Sequence, residues 1–339
     1  ALLKVKRDTD ESFSYEQRTF GDMMDEIRTN NDTFGESFFP NFVPLPLTFT
    51  NILGKTNTRE YFPSGLMASL HKLQRTLHNE SMPDRIVGCN VGEKHVLFNT
   101  AHGRVFSCGI GKMGELGYAC NVATLQCNII EGLYSRAVAP PSTRVMVKKI
   151  STGSNHTIAL DDGGRVFAWG DNRKGQCGYK TATTKFRNAG ESFSTKPRLV
   201  QFDKSLWVND VACGGDFSVG VLKGLLYAWG DKKYLGQGKF YQGGHSHKPK
   251  AVKLQGQSLK FLKVTCGNSH VAGAASNGKV YCWGVNNFAQ CGRPSYGEKG
   301  SLFLPAPEEV HHLNNVIDVV AGGFHTVALT RGGGNSHVA

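Results

Sequence analysis

The chain has 339 residues, of which 40% are hydrophobic, and it carries 41 glycines, 9 cysteines and a formal net charge of +12. This is a globular composition without an apolar run long enough to cross a membrane as a helix. No Cys-x-x-Cys pair is present, so the cysteines lack the usual spacing of a zinc site, and their scatter does not suggest a disulfide framework.

Residues 1–85 hold 10 Lys/Arg against 12 Asp/Glu, whereas residues 86–339 hold 29 against 15, so the positive charge belongs to the second part. The first part opens on a charged stretch through Arg28 and reads as an irregular N-terminal arm. Phe38, Phe39, Phe42, Leu45 and Leu47 follow, punctuated by Pro40, Pro44 and Pro46. That proline density rules out a helix there, and the five apolar residues are candidates for an arm laid on a partner or on the chain's own body. From Ser64 to Asn79 the period becomes helical. Leu66, Leu70, Leu73 and Leu77 share a face, and Ser64 is an expected N-cap. The helix is either docked on the following domain or free to bind a partner. The expected domains are 1–85, the arm with an amphipathic helix, and 86–339.

Beyond residue 85 one phrase recurs. An anchor at His95, His156, Phe217, His270 and His325 is followed by a landmark at Cys108, Trp169, Trp229 and Trp283. The anchor-to-landmark distance is 13 residues in three copies and 12 in the copy starting at Phe217. Each landmark precedes a glycine (Gly109, Gly170, Gly230, Gly284), and nine residues after it stands another (Gly117, Gly178, Gly238, Gly292). His156–Leu160 and Arg165–Trp169 are short β-formers joined through Asp161, Asp162, Gly163 and Gly164, residues that suit a hairpin turn. Val145–Ile150, Val208–Ala212 and Val316–Val320 supply further strands. Several short strands per repeat of more than 50 residues, without a helix inside, indicate an all-β β-propeller. A catalytic histidine repeated at four equivalent anchors makes no chemical sense. His95, His156, His270 and His325 are expected to be structural ties, and Trp169, Trp229 and Trp283 packing between blades.

The phrase resembles the regulator of chromosome condensation repeat family. The residues that carry it are Cys213-Gly214 and Cys266-Gly267, the Gly-x-x-His steps at 153–156 and 267–270, Val-Phe-Ala-Trp-Gly-Asp at 166–171 and Gly-Gln-Cys-Gly at 175–178. The resemblance covers residues 86–330 and implies a seven-bladed propeller, here incompletely represented: four whole units and the start of a fifth are visible. Gly334–His337 repeats Gly267–His270 only 12 residues after His325, so residues are expected to be missing near Arg331 and Gly332, and a native start before Ala1. The family's founding nuclear member exchanges nucleotide on the GTPase Ran and binds chromatin, and mitochondrial members are linked to ribosomes and their assembly.

Lysines crowd between Lys223 and Lys263. Lys232, Lys233, Lys248, Lys250, Lys253, Lys260 and Lys263, interleaved with aromatic residues, are candidate phosphate contacts to RNA. Cys177 and Cys291 align with Leu116, and Cys282 with Ala168 and Ala228, as apolar core residues would. A reducing compartment follows: mitochondrial, with nuclear or cytoplasmic as alternatives. Gly54-Lys55-Thr56 lacks the first glycine of a phosphate loop, and His245, His247, His311 and His312 have no third ligand, so they are expected in loops. No catalytic, metal or cofactor site is expected. The reading is a non-catalytic scaffold that binds protein subunits or RNA in a larger assembly, such as a mitochondrial ribosome or its assembly complex. The alternative is guanine-nucleotide exchange on a Ran-like small GTPase, with 181–196 and 121–142 as candidate wedge insertions.

Overall fold

The computed structural model describes residues 2–7, 13–18, 63–81, 83–120, 123–134, 145–180, 192–202, 207–238, 244–252, 259–294 and 302–331. Two compact units make up the chain, residues 1–44 and 45–339. In the first, β1 (Leu2–Arg7) pairs antiparallel with β2 (Phe13–Arg18), placing Lys4 opposite Glu16 and Val5 opposite Tyr15. The opening of the arm is therefore a hairpin and not irregular. Leu3 and Val5 alternate with Lys4 and Lys6, a period-two pattern that the charge obscures.

Among the described residues the second unit begins with α1 (Pro63–His78). Proline suits the first helical turn because its missing N–H would be unsatisfied there anyway. Ser64 thus lies inside the helix and is not its cap. Four-stranded antiparallel sheets follow. Blade 1 is β3 (Ile86–Val91), β4 (His95–Thr100), β5 (Val105–Gly109) and β6 (Thr124–Ile129). Blade 2 is β7 (Val147–Thr152), β8 (His156–Asp161), β9 (Val166–Asp171) and β10 (Phe193–Leu199). Blade 3 is β11 (Val208–Cys213), β12 (Phe217–Leu222), β13 (Leu225–Asp231) and β14 (His245–Ala251). Blade 4 is β15 (Phe261–Cys266), β16 (His270–Ala275), β17 (Val280–Val285) and β18 (Phe303–Glu309). The fifth unit is β19 (Val316–Ala321) and β20 (Thr326–Thr330). Strand order follows chain order in every sheet, the meander of a propeller blade. The first strands of successive blades touch one another and form the inner rank, which leaves β6, β10, β14 and β18 outermost.

The shorter spacing in blade 3 has a local cause. Lys223 and Gly224 form a two-residue loop between Leu222 and Leu225, both at positive φ, 49° and 83°. This is the backbone that a tight hairpin requires. In blade 2 the loop holds one residue more, and Asp161 N–H donates to the Arg165 carbonyl.

No blade buries its own faces. Trp169, Trp229 and Trp283 are fully buried, and each indole reaches across a seam. Trp169 Nε1 donates to the Glu115 carbonyl at 2.8 Å, Trp229 Nε1 to the Gln176 carbonyl at 2.9 Å, and Trp283 Nε1 to the Tyr234 carbonyl at 2.9 Å. A Cβ on Gly117, Gly178 or Gly236 would come within 3.0–3.1 Å of these indole nitrogens, and all three glycines have positive φ. The sequence pattern places the third of these glycines at Gly238. A Cβ at Gly238 would meet nothing, so the equivalent residue is Gly236. Blade 3 is two residues shorter between its tryptophan and this glycine, and Leu235 fills the slot of Leu116 and Cys177.

The histidines form a second tie. His156 Nε2 lies 2.9 Å from Ser218 Oγ, His95 Nε2 3.2 Å from Thr157 Oγ1, and His270 Nε2 2.9 Å from Thr326 Oγ1. Ser218 Oγ donates onward to the Gln176 carbonyl at 2.8 Å, and Thr326 Oγ1 to the Gln290 carbonyl at 2.9 Å. These hydroxyls therefore accept from a neutral imidazole protonated at Nε2. Where Phe217 replaces the histidine, Val271 replaces the hydroxyl in the next blade, and both are fully buried. The glycine three residues before each anchor is sterically required: a Cβ on Gly153 would lie 2.2 Å from His156 Cε1. His325, at the last anchor position, is half-buried. The turns are also linked through backbone: Glu93 N–H donates to Ser154, Ser154 to Gly215, Gly215 to Asn268 and Asn268 to Gly323.

At the start of the array the packing differs. Leu70, Leu73 and Leu77 of α1 share a core with Cys89, Val96, Phe98, Phe106 and Cys108. The helix is thus docked on blade 1, and Cys108 stands where later blades present tryptophan. Arg104 fastens the helix end through Glu80 at 2.8 Å and Asp84 at 3.0 Å.

Two outcomes follow for stability. Trp169→Ala is expected to lower the free energy of unfolding by about 3–5 kcal/mol, read by denaturant titration, because it opens a cavity and orphans the Glu115 carbonyl. Burial pushes the His95 pKa down to about 3 and those of His156 and His270 to about 4. The unfolded chain binds these protons near pH 6.5 and the folded chain does not, so stability is full above pH 6.5 and falls as the pH drops towards 4. The double change His156→Phe with Ser218→Val copies the Phe217–Val271 pair. It should remove about 1.4 kcal/mol per pH unit from that acid slope, measured by urea melts between pH 7 and 4.5.

Candidate nucleic-acid and partner interface

The lysines singled out in the sequence do not form one face. Lys232 and Lys233 sit in a short 3-10 turn at the end of β13, where Asp231 accepts from the Lys233 N–H. Lys233 Nζ lies over the Tyr234 ring at 5.5 Å and the Phe303 ring at 5.6 Å. Lys260 packs against the Gly224 turn, at the opposite end of β13. Lys263 belongs to the inner rank and pairs with Asp318 at 2.7 Å. Lys149 and Asp210, at the matching positions of blades 2 and 3, pair at 2.5 Å, and Asp210 Oδ2 also accepts from the Val264 N–H. The inner strands thus alternate Lys149, Asp210, Lys263, Asp318, and their charges cancel. Lys253 and the arm residues Phe38, Phe39, Phe42, Leu45 and Leu47 lie outside the described residues.

Lys248 and Lys250 are exposed on β14. Their setting repeats one blade earlier. Ser194, Lys196, Pro197 and Arg198 of β10 match Ser246, Lys248, Pro249 and Lys250 of β14. In both strands the serine hydroxyl donates to the carbonyl two residues on, Ser194 to Lys196 at 2.7 Å and Ser246 to Lys248 at 2.9 Å. The proline is buried and the basic residues on either side of it are exposed. Proline is tolerated because these are edge strands, and a bulge interrupts the pairing beside each one. Arg198 additionally lies over the Tyr179 ring at 5.6 Å. Sequence reasoning caught Lys248 and Lys250 but missed Lys196 and Arg198. The recurring Ser-x-Lys-Pro-basic phrase was the available signal.

The stretches considered as wedge insertions contain blade strands. Residues 193–196 enter β10, and 124–129 form β6, while 181–191, 121–122 and 135–142 lie outside the described residues. His245 and His247 are on β14 and not in a loop, with rings 4.6 Å apart. His311 and His312 occupy a turn. Among the described residues no three His, Cys, Asp or Glu side chains are grouped to hold a metal ion.

All nine cysteines are free thiols. Burial pushes the pKa values of Cys89, Cys213 and Cys291 up to about 12. Cys127, half-buried on β6, lies 3.7 Å from Cys108, and that contact holds its pKa below the ordinary thiol value.

Comparison with known proteins agrees with the blade architecture. Regulator of chromosome condensation (RCC1) repeats match residues 147–176 and 261–290 in one form, and 163–221, 223–273 and 277–329 in another, more than half of the chain. The E3 ubiquitin-protein ligase HERC2 of Mus musculus is 30% identical over 251 residues, 71% of this chain and 5% of the ligase. The RCC1 domain-containing protein RUG3, mitochondrial, of Arabidopsis thaliana is 27% identical over 253 residues, covering 72% of this chain and 51% of that protein. Among solved structures, human WBSCR16 aligns with a TM-score of 0.60 at 24% identity over 75% of this chain and 60% of that one. Prp20p of Saccharomyces cerevisiae, described with its binding to Gsp1p and histones, aligns with a TM-score of 0.55 at 19% identity over 79% of this chain and 59% of that one. The chain therefore spans between a twentieth and about half of the curated relatives it matches.

Iodoacetamide labelling of the native protein followed by peptide mass mapping should modify Cys127 well before Cys89, Cys213 and Cys291, because the thiolate is the nucleophile. Labelling in the reverse order would mean that the core thiols are reached by opening of the blades. By repeat pattern and by structure, the chain belongs to the RCC1 repeat family.

Proposed function

We propose that the protein is a non-catalytic propeller scaffold that binds RNA and protein subunits within a larger assembly, in the mitochondrion. The observation that carries this is the paired basic rim: Lys196 and Arg198 on β10, Lys248 and Lys250 on β14. They stand exposed on adjacent blades, and none of the four takes part in an ion pair among the described residues. Fixed cations at a repeated spacing suit a phosphate backbone, whose contact releases counterions and makes binding salt-dependent. The surplus of 29 Lys/Arg over 15 Asp/Glu in residues 86–339 supports the same reading. Because the inner strands are charge-compensated, the rim carries more of the net field. The mitochondrial placement is supported by the likeness to RUG3. The HERC2 alignment covers 5% of that ligase, and ligase chemistry forms no part of this reading.

Guanine-nucleotide exchange on a Ran-like GTPase is the second reading, favoured by the fold shared with Prp20p, whose described partner is Gsp1p. It predicts accelerated release of a fluorescent guanine nucleotide, which a scaffold does not cause.

Changing Lys196, Arg198, Lys248 and Lys250 together to Gln is expected to weaken retention of single-stranded RNA at least ten-fold at moderate salt. The slope of log affinity against log salt should drop by about 3, each lost phosphate contact on a single strand counting about 0.7. Fluorescence anisotropy across a salt series reads both. Unchanged affinity and slope in a folded variant would remove RNA from the proposal.

A further inference from the structure

Blade 1 differs from the later blades at two positions that stand opposite each other. On β5, Cys108 replaces Trp169, Trp229 and Trp283. On the outer strand β6, Cys127 replaces Pro197, Pro249 and Pro307. The strand registers fix this correspondence. Ser107 faces Asn128 and Gly109 faces Thr124, just as Ala168 faces Arg198 and Gly170 faces Ser194 in blade 2. A bulge lies between the two facing pairs in every whole blade. The Thr124 hydroxyl donates to the Gln126 carbonyl at 3.4 Å, which repeats the bonds of Ser194 and Ser246. Where three blades place an indole opposite a pyrrolidine ring, blade 1 therefore places a thiol opposite a thiol.

The two Sγ atoms are 3.7 Å apart. A disulfide is about 2.05 Å long, a difference that side-chain rotation covers. Cys108 is fully buried beneath α1, and Cys127 is half-buried at the edge of the same core. Their contact holds the Cys127 thiol below its ordinary pKa; the same contact, with burial, holds Cys108 above it. Thiolate thus collects on the sulfur that solvent reaches. Cys89 shares the core, but β4 separates its strand from β5.

We propose that Cys108 and Cys127 form a dithiol site for hydroperoxides, converted reversibly to a disulfide that fastens β6 to β5. The Cys127 thiolate, its proton given to solvent, attacks one oxygen of hydrogen peroxide. The O–O bond breaks, hydroxide leaves and takes up a proton, and Cys127 carries a sulfenic acid. Cys108 then attacks the Cys127 sulfur. The S–S bond forms, the S–O bond breaks, and the departing hydroxide takes the Cys108 proton as water. Two thiols are oxidised and one peroxide is reduced to two waters. The bond closes residues 109–126 into a loop, so β6 cannot leave β5 until a dithiol reductant opens it. This site does not depend on the basic rim or on RNA.

The test uses the full-length protein, reduced, freed of reductant and given one equivalent of hydrogen peroxide. It is then alkylated with iodoacetamide in urea and digested with trypsin without reduction. Cleavage after Arg104, Lys112 and Arg136 puts the two thiols on separate peptides, 105–112 and 113–136. These peptides should be found linked, with fragmentation placing the bond at Cys127 and not at Cys120, and every other thiol alkylated. Dithiothreitol should restore both thiols. In Cys108→Ser the reaction should stop at the sulfenic acid, captured on Cys127 by dimedone. The proposal is overturned by linkage through Cys120, by loss of Cys89 or another core thiol first, or by no linked peptides after about ten equivalents. Each of these is read on the unaltered protein, whatever Cys108→Ser does to folding.

Discussion

The array depends on hydrogen bonds that each blade can complete only with its neighbour. A blade's sheet satisfies its own backbone, but the carbonyls of Glu115, Gln176 and Tyr234 receive their indole partners from the following blade. The imidazoles of His95, His156 and His270 likewise meet hydroxyls one blade on. Buried polar groups left without partners cost far more than a made bond returns. Correct stacking is therefore enforced by polar satisfaction as much as by apolar burial, and the glycines around each tie are there to let rings approach backbone.

That constraint explains which parts of the fold were legible in sequence. Tryptophan, histidine and the glycines beside them recur because each has a fixed mechanical task, so the four whole units, the start of a fifth and most of the ties could be read in advance. The slip at Gly238 came from counting residues through a loop that blade 3 shortens by two; the indole of Trp283 identifies Gly236 instead. The outer strands were harder to see. Ser194–Arg198 and Ser246–Lys250 carry proline, charge and a bulge, and so lack the alternation of a half-buried strand. Grouping lysines by nearness in sequence failed because one strand separates Lys232 from Lys260, and because Lys263 faces Asp318 across an inner seam.

The first unit departs from the seam rule. At blade 1 the rule is suspended: α1 covers the face, leucines replace a neighbouring sheet, and Cys108 replaces the tryptophan that such a sheet would receive.

The pair Phe217 and Val271 has a consequence for how such a chain can change. A histidine and its hydroxyl lie in different repeats, about sixty residues apart, and here both members have switched to apolar side chains together. Exchanging whole repeats would mate a histidine with a valine, or a phenylalanine with a hydroxyl, and leave a buried polar group stranded. The interchangeable module is therefore the junction, running from the middle of one blade to the middle of the next. Recombination that respects junctions preserves the stack, and recombination that respects blade boundaries breaks it.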